Sequence, residues 1–271
     1  MKSAPILLAL TLALALPGAR PAAAAGGLPD NLVSAEVIGG ATQPDGTRLA
    51  ALLLTLAPGW KTYWRAPGEA GIPPRFNWAG SRNLGGVAFH WPLPQVYEVN
   101  GFRIIGYADE LVLPFSVRPD RQGDPVTLAA EIELGVCEDV CVPVTLEVRA
   151  ELPGIARTDP AIRAAMARMP ETGAAAGLTS ATCRVEPIRD GLRLTAALDI
   201  PSPGSGEFAV IEVSDPTIWV SSPKLDRGGG RVTAVADLVP ADARPFALNR
   251  SDIRITLFGG GRVVEIEGCT G

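Results

Sequence analysis

The chain has 271 residues with 25 prolines and 30 glycines, a turn-rich composition that is typical of proteins built from many short strands. Its 29 acidic residues outnumber 24 basic ones, and the sequence has no run of lysine or arginine. This balance argues against nucleic acid or an anionic membrane surface as the partner. The length suits two domains of ordinary size.

The first 25 residues have the pattern of a secretory signal peptide. Lys2 precedes an apolar run from Ala4 to Leu16, and the small residues Ala22 to Ala25 supply a cleavage site. The run is too short for a membrane span, which needs about 20 residues, and no later stretch is long and apolar enough. We therefore expect an exported chain without a membrane span. Loss of Lys2 and Arg20 with this segment leaves 22 basic against 29 acidic residues, a net charge of −7.

Residues 30–153 are predicted to form an antiparallel β-sandwich. Alternating or continuous apolar segments, bounded by proline and glycine, indicate seven or more short strands without a strong helix signal. Such a pattern favours two packed antiparallel sheets. The predicted strands are Leu49–Leu56, Trp60–Arg65, Val87–Trp91, Phe102–Tyr107, Glu110–Val117 and two that flank residues 137–141.

Residues 154–180 are predicted to be a linker with one short helix. Asp159 can cap this helix, Pro160 suits its first turn, and Pro170 stops it. Alternation resumes afterwards, so residues 181–271 are predicted to form a second all-β domain. The predicted fold class is therefore all-β, with two antiparallel β-sandwich domains joined by a short helical linker.

Cys137 and Cys141 stand between two alternating runs, which places them at the tip of a β-hairpin. On one extended strand they would be about 13 Å apart, too far for a disulfide, whereas across a three-residue turn their Cβ atoms lie about 5 Å apart. Their small ring contributes about 2 kcal/mol in the chain-entropy view, against about 4.6 kcal/mol for a ring closed by Cys183 and Cys269. We predict a redox-active pair at Cys137 and Cys141 and a structural disulfide between Cys183 and Cys269, in an oxidising compartment.

Two carboxylates occupy the predicted turn between the paired cysteines. Glu138 and Asp139 disfavour a thiolate beside them, and the turn contains no lysine, arginine or histidine to oppose them. We expect the pair to be activated mainly when a partner docks, with Glu138 and Asp139 as candidate docking residues. The alternative is that both carboxylates only solvate the turn.

Several motifs in the first half of the chain resemble a known family. They are Gly59–Arg65 (GWKTYWR), Gly71–Pro74 (GIPP), Gly106-Tyr107, Leu113-Pro114 and Gly135–Pro143 (GVCEDVCVP). Together they look like the periplasmic amino-terminal region of the thiol:disulfide interchange protein DsbD, and they are nearer to the branch of the suppressor-of-copper-sensitivity protein ScsB. The resemblance covers most of the mature chain, although the two cysteines are further apart in DsbD itself.

The resemblance implies an immunoglobulin-like fold in the periplasm, without a cofactor, whose cysteine pair accepts electrons from one thioredoxin-like partner and passes them to another. It also implies a cap, an aromatic-bearing loop that shields the cysteines until a partner docks. By position this loop is residues 97–102, with Tyr97 or Phe102 as the lid. DsbD and ScsB proteins continue into a membrane electron conduit and a terminal thioredoxin-like domain. Because this sequence shows neither, we expect either reductant from a separate protein, such as a thioredoxin-like protein or a membrane electron conduit, or another use of the module.

Two other functions stay open at this point. Two thiolates can bind Cu(I), and the name of the ScsB branch connects it with copper tolerance, but no Met-rich or Cys/His cluster supports a fuller metal site. Alternatively, both disulfides are structural and the chain is a periplasmic scaffold. His90, the only histidine, is expected to be a packed or surface strand residue. The oligomeric state is unknown from the sequence.

Overall fold

The computed structural model describes residues 31–69, 71–99, 101–152, 157–241, 243 and 246–271, so the predicted signal peptide lies outside the described residues. The first strands are β1 (Val33–Thr42), β2 (Arg48–Leu56), β3 (Lys61–Gly68), β4 (Arg75–Asn77), β5 (Leu84–Phe89), β6 (Gln95–Val99), β7 (Phe102–Ala108), β8 (Glu110–Pro119), β9 (Val126–Cys137) and β10 (Cys141–Leu152). No helix in the described ranges is long and apolar enough to cross a membrane.

One short helix precedes the remaining strands. These elements are α1 (Pro160–Met166), β11 (Glu171–Thr172), β12 (Ser180–Ile188), β13 (Gly191–Asp199), β14 (Phe208–Glu212), β15 (Ile218–Val220), β16 (Lys224–Gly228), β17 (Arg231–Pro240), a 3₁₀ turn (Arg250–Asp252), β18 (Arg254–Gly259) and β19 (Arg262–Glu267).

Strands β1 to β10 form two facing antiparallel sheets, which we call the first sandwich. One sheet has the order β1-β2-β8-β5, and the other has the order β10-β9-β3-β7-β6, with β4 also paired to β9. Alternate side chains of both sheets meet in one core, where Leu52 and Phe115 of the former sheet join Trp64, Leu128 and Ile132 of the latter. Such a two-layer core is what period-two burial along each strand produces.

Strands β11 to β19 form a second pair of facing sheets, the second sandwich. Their orders are β11-β19-β18-β14 and β12-β13-β17-β15, with β16 also paired to β17. Leu194, Val232 and Ile255 are fully buried between these sheets. A disulfide joins Cys183 of β12 to Cys269, just after β19, with Cα atoms 5.6 Å apart. The predicted all-β class with two antiparallel sandwiches and a short helix is confirmed.

Helix α1 begins where the sequence predicts. The Asp159 carboxylate accepts a hydrogen bond of 2.7 Å from the Ala161 backbone N–H, which satisfies one of the free donors of the first turn. The helix ends at Met166, earlier than the predicted stop at Pro170, and the following residues still form backbone hydrogen bonds back to it. Since the predicted linker also contributes β11 to the second sandwich, the exact domain boundaries stay a prediction.

In the segment predicted as an aromatic loop, the described residues 97–99 and 101–102 belong to a paired set of strands and the glycine before the second strand. Strand β6 ends at Val99 and β7 begins at Phe102, with Gly101 between them at a φ of +81°. Tyr97 pairs with Ile104 across these two strands. Aromatic and β-branched residues on both sides of an Asn-Gly dipeptide favour a hairpin over an irregular loop.

Candidate functional site

The cysteine hairpin has the geometry that the spacing predicts. Cys137 ends β9, Cys141 begins β10, and the two residues pair directly across the strands, with their Cα atoms 4.2 Å apart and their sulfurs bonded. The intervening turn is closed by the Glu138 backbone N–H, which donates to the Val140 carbonyl at 3.4 Å. Both turn carboxylates, Glu138 and Asp139, are exposed.

The two cysteines differ in exposure. Cys137 is only 4% exposed because β9 lies inside its sheet, with β10 on one side and β3 on the other. Cys141 begins the edge strand β10 and is exposed. The disulfide therefore presents one residue to solvent and keeps the other covered.

Tyr63 of β3 contacts the exposed cysteine. Its hydroxyl lies 2.9 Å from Cys141 Sγ, and because a disulfide sulfur carries no proton, the phenol is the donor. Tyr63 is only 2% exposed, and burial raises the pKa of its phenol, which keeps the proton in place. Glycines make room for the ring: a Cβ at Gly135 would lie 2.6 Å from Tyr63 Cε2, and one at Gly71 would lie 2.8 Å from its Cδ1.

A basic residue, Lys61, lies on the strand next to the buried cysteine. It pairs with Cys137 across β3 and β9, and its ammonium donates to the Gly59 carbonyl at 3.1 Å. The same ammonium lies 5.4 Å from the ring centroid of Tyr97, a cation–π contact. The turn itself holds no basic residue, as the sequence predicts, but the neighbouring strand brings one next to the pair.

The two predicted lid residues occupy different places. Tyr97 packs, partly buried, against a small cluster formed by Tyr63, Ile104 and Cys137. Phe102 lies at the start of β7, is 50% exposed and is outside that cluster. Tyr97 is thus the lid candidate that packs on the disulfide's surroundings, and its closing role stays a prediction.

The pKa of the Tyr97 phenol is raised, mainly by burial and also by the negative charge of Asp109. Its hydroxyl donates to Gln95 Oε1 at 2.7 Å, so the ring is held by a bond within its own strand. We call the surface formed by Tyr63, Tyr97, Ile104, Cys137 and Cys141 the disulfide face.

The other singled-out residues lie elsewhere. Trp60 and Trp64 are buried in the core of the first sandwich. His90 Nε2 lies 2.7 Å from Ser116 Oγ, and burial lowers the pKa of its imidazole. In the part of the chain that the structure describes, no group of three or more His, Cys, Asp or Glu side chains is placed to hold a metal ion.

Sequence reasoning did not assign Lys61 or Tyr63 to the site. Both belong to the motif Gly59–Arg65, in which Lys61 and Tyr63 lie on the side of the disulfide, whereas Trp60 and Trp64 enter the core. That alternation is visible in the sequence, but the contact of Tyr63 with Cys141 joins residues 78 positions apart. It follows only once β3 is known to lie beside β9.

Comparison with known proteins bears on the same part of the chain. Residues 30–153 match the family model described as "Thiol:disulfide interchange protein DsbD, N-terminal". The crystal structure of the N-terminal periplasmic domain of ScsB from Proteus mirabilis superposes with a TM-score of 0.56 at 22% identity, covering 88% of this chain and 92% of that one. This likeness shows a shared fold.

Other matches are weaker. InvD of Yersinia pseudotuberculosis gives a TM-score of 0.20 at 12% identity, covering 90% of this chain and 59% of that one. A protein of unknown function from Porphyromonas gingivalis W83 gives 0.23 at 11% identity, covering 87% and 99% respectively. Scores this low carry no argument about fold or function. No curated protein sequence matches the chain.

Proposed function

We propose that this chain is a periplasmic thiol–disulfide exchange module, because residues 30–153 match the family model of the DsbD amino-terminal region. In this proposal the Cys137–Cys141 disulfide relays electrons between thioredoxin-like partners. The observation that carries the proposal is the unequal exposure of the two cysteines: Cys137 is 4% exposed, whereas Cys141 is exposed on an edge strand. A docked thiolate can approach one sulfur while the other is kept as a covered leaving group.

The exchange proceeds in two displacements. A partner thiolate attacks Cys141 Sγ, the Cys137–Cys141 bond breaks, and Cys137 leaves as a thiolate that takes up a proton. The partner's second thiolate then attacks the partner's own sulfur in the mixed disulfide, and Cys141 leaves and is protonated in turn. The partner ends oxidised, and the pair has gained two electrons and two protons. The Cys141 thiolate passes them on by attacking the disulfide of the next partner.

Two side chains of β3 serve these steps. Lys61, which pairs with Cys137, offers positive charge where the first thiolate forms. The Tyr63 hydroxyl, 2.9 Å from Cys141 Sγ, donates to that sulfur, and this hydrogen bond strengthens when the sulfur becomes a thiolate. Glu138 and Asp139 act in the opposite sense, because carboxylates beside a sulfur disfavour the thiolate.

Docking of a partner is assigned to the disulfide face and its rim. Tyr97 packs against the cluster around Cys137, so it can act as the lid that a partner displaces. Val140 in the cysteine turn and Phe102 at the start of β7 are large apolar side chains that are 67% and 50% exposed. Exposed apolar side chains suit a docking partner whose own active site is surrounded by apolar groups.

Single-cysteine variants test the proposal. C137S retains Cys141 and C141S retains Cys137, while the Cys183–Cys269 disulfide is present in both. The probe is thioredoxin that carries only its attacking cysteine, activated as a mixed disulfide with thionitrobenzoate. We expect C137S to capture the probe at least about tenfold faster than C141S, because only the thiolate of an accessible cysteine attacks. The double variant C137S/C141S is the control.

The outcome of these assays separates the proposal from its alternatives. Equal capture by C137S and C141S would contradict the assigned direction of attack. Absence of capture, together with a reduction potential well below about −300 mV for the wild-type pair, would favour the scaffold with two structural disulfides. Stoichiometric Cu(I) binding by the reduced protein, lost in C137S, would favour the copper-binding alternative.

A further inference from the structure

Strand β3 leaves its regular pairing immediately after the residue that contacts the disulfide. Tyr63 pairs with Gly106 of β7, and the next pair along the strands is Gly68 with Ile104. Four residues of β3, 64–67, therefore oppose a single residue of β7. Bulges of this kind change the direction of side chains. Because the bulged residues lack regular hydrogen bonds to the neighbouring strand, other contacts determine their conformation.

Ion pairs to the second sandwich hold this bulge. Arg65 Nε lies 2.9 Å from Glu212 Oε1 and 3.2 Å from Glu212 Oε2, and Arg65 Nη2 also donates to Glu265. The side chains of Arg65, Glu212 and Glu265 are 13%, 20% and 23% exposed. These pairs are partly buried, and Arg65 makes them through both Nε and Nη2, so they are stronger than surface ion pairs. The bulge is thus tied to β14 and β19.

Trp64, between Tyr63 and Arg65, also contacts the second sandwich. Its ring meets that of Phe258 on β18 edge to face, with centroids 5.7 Å apart and planes at 87°. The guanidinium carbon of Arg65 lies 4.1 Å from the centroid of the Trp64 ring. Both geometries are favourable aromatic contacts. Trp64 therefore packs both in the core of the first sandwich and against Phe258 of the second, and Arg65 is held by the second sandwich.

We propose that Arg65 is a positioning residue for the redox site. Its ion pairs with Glu212 and Glu265 fix the bulge, and the fixed bulge holds the Tyr63 hydroxyl within 2.9 Å of Cys141 Sγ. Arg65 acts only through Tyr63, and the second sandwich thereby sets the reactivity of a disulfide in the first. Because it concerns the same cysteine pair, this inference rests on the proposed function.

Alkylation of Cys141 tests the inference without a partner protein. In the C137S background, the rate of reaction with iodoacetamide between about pH 6 and pH 10 reports the thiolate fraction of Cys141. Lys61, Glu138, Asp139 and Tyr97, the other charged or titratable groups around the pair, stay unchanged. We expect R65M to lower the alkylation rate at neutral pH about fivefold, the effect expected for the loss of one hydrogen bond. The reason is that the Tyr63 hydroxyl is then no longer held where it stabilises the Cys141 thiolate.

A double-mutant cycle shows whether Arg65 acts through Tyr63. We expect Y63F to lower the rate by the same factor as R65M, and the combined variant Y63F/R65M to be no slower than Y63F. The matched control is R193M, which makes the same substitution at an exposed ion pair of the second sandwich, where Arg193 lies 2.7 Å from Asp237. It should leave the rate unchanged.

A milder variant covers the case in which R65M does not fold. E212Q keeps the side-chain shape and the Arg65–Glu265 pair, and we expect a loss of about twofold. The inference would be overturned if the rate loss of Y63F/R65M equalled the product of the two single-variant losses. It would also be overturned if the rate were unchanged in both R65M and E212Q. Failure of the proposed function is a separate result, because it is seen as absence of exchange between wild-type protein and thioredoxin.

Discussion

The two disulfides are expected to differ in how much stability their removal costs. Cys183 and Cys269 are 86 positions apart, and in the chain-entropy view opening that loop lowers the free energy of unfolding by about 4.6 kcal/mol. Cys137 and Cys141 are 4 positions apart, which corresponds to about 2 kcal/mol. The perturbations are the double variants C183A/C269A and C137A/C141A.

Packing losses do not obscure this comparison. Each pair contains one buried cysteine, since Cys183 is 2% exposed and Cys137 is 4% exposed. Truncation to alanine removes a similar amount of buried sulfur in both variants, so the difference of about 2.6 kcal/mol comes from loop length. A bridge that contributes little to stability can be opened and closed repeatedly without endangering the fold.

Urea unfolding followed by tryptophan fluorescence measures both free energies. Trp64, which is buried in the core of the first sandwich and packs against Phe258 of the second, reports on both halves of the chain. The wild type treated with enough reductant to open only Cys137–Cys141 is the control, and it should match C137A/C141A. If C137A/C141A loses as much stability as C183A/C269A, the small ring is a main stabiliser and the assignment of roles to the two pairs is refuted.

Three further outcomes follow from the disulfide face. Tyr97→Ala uncovers the cluster around Cys137, so disulfide exchange with thioredoxin should become several-fold faster; an unchanged or slower rate means that Tyr97 is no lid. Gly135→Ala places a Cβ 2.6 Å from Tyr63 Cε2, so urea unfolding should show a loss of about 1–3 kcal/mol, and an unchanged midpoint would contradict this packing. Burial raises the pKa of Tyr63, Tyr97 and Tyr107 above the ordinary value of 10.0. The unfolded chain therefore loses these protons first, and stability is retained below about pH 10 and falls as the pH rises through the raised pKa values. Absorbance at 295 nm against pH checks this: ionisation of all tyrosines near pH 10 in the folded protein would contradict it.

The cysteine hairpin could be predicted from the sequence because its determinants are local. Alternating apolar residues on both sides of residues 137–141 define two strands, and four positions between cysteines fit a disulfide only across a turn. The observed register pairs Cys137 with Cys141 and continues to Val126 opposite Leu152. Helix α1 could be predicted equally well, because Asp159 and Pro160 mark its start without any tertiary contact.

The surroundings of the pair could not be predicted in the same way. Lys61 and Tyr63 reach the disulfide because β3 lies beside β9, and no local pattern states which strands become neighbours. The sequence of residues 97–102 carries strand and hairpin signals of its own, and the expectation of a capping loop there came from the family resemblance. The bulge at residues 64–67 depends on contacts with strands more than 140 positions away, such as that of Arg65 with Glu212.

The pair lies at the end of a long hairpin, a placement that suits the proposed cycling between disulfide and dithiol. Eleven further residue pairs, from Val142–Val136 to Leu152–Val126, hold β9 and β10 together below the disulfide. Reduction therefore frees only the turn, and the buried Cys137 stays in its sheet between β10 and β3. If the proposed exchange takes place, little structure has to reorganise when the sulfurs separate, and we expect access to Cys141 and the groups that contact it to control the rate. Tyr63, which contacts Cys141 Sγ, belongs to β3, so under this proposal the contacts that fix β3 also affect the rate of exchange.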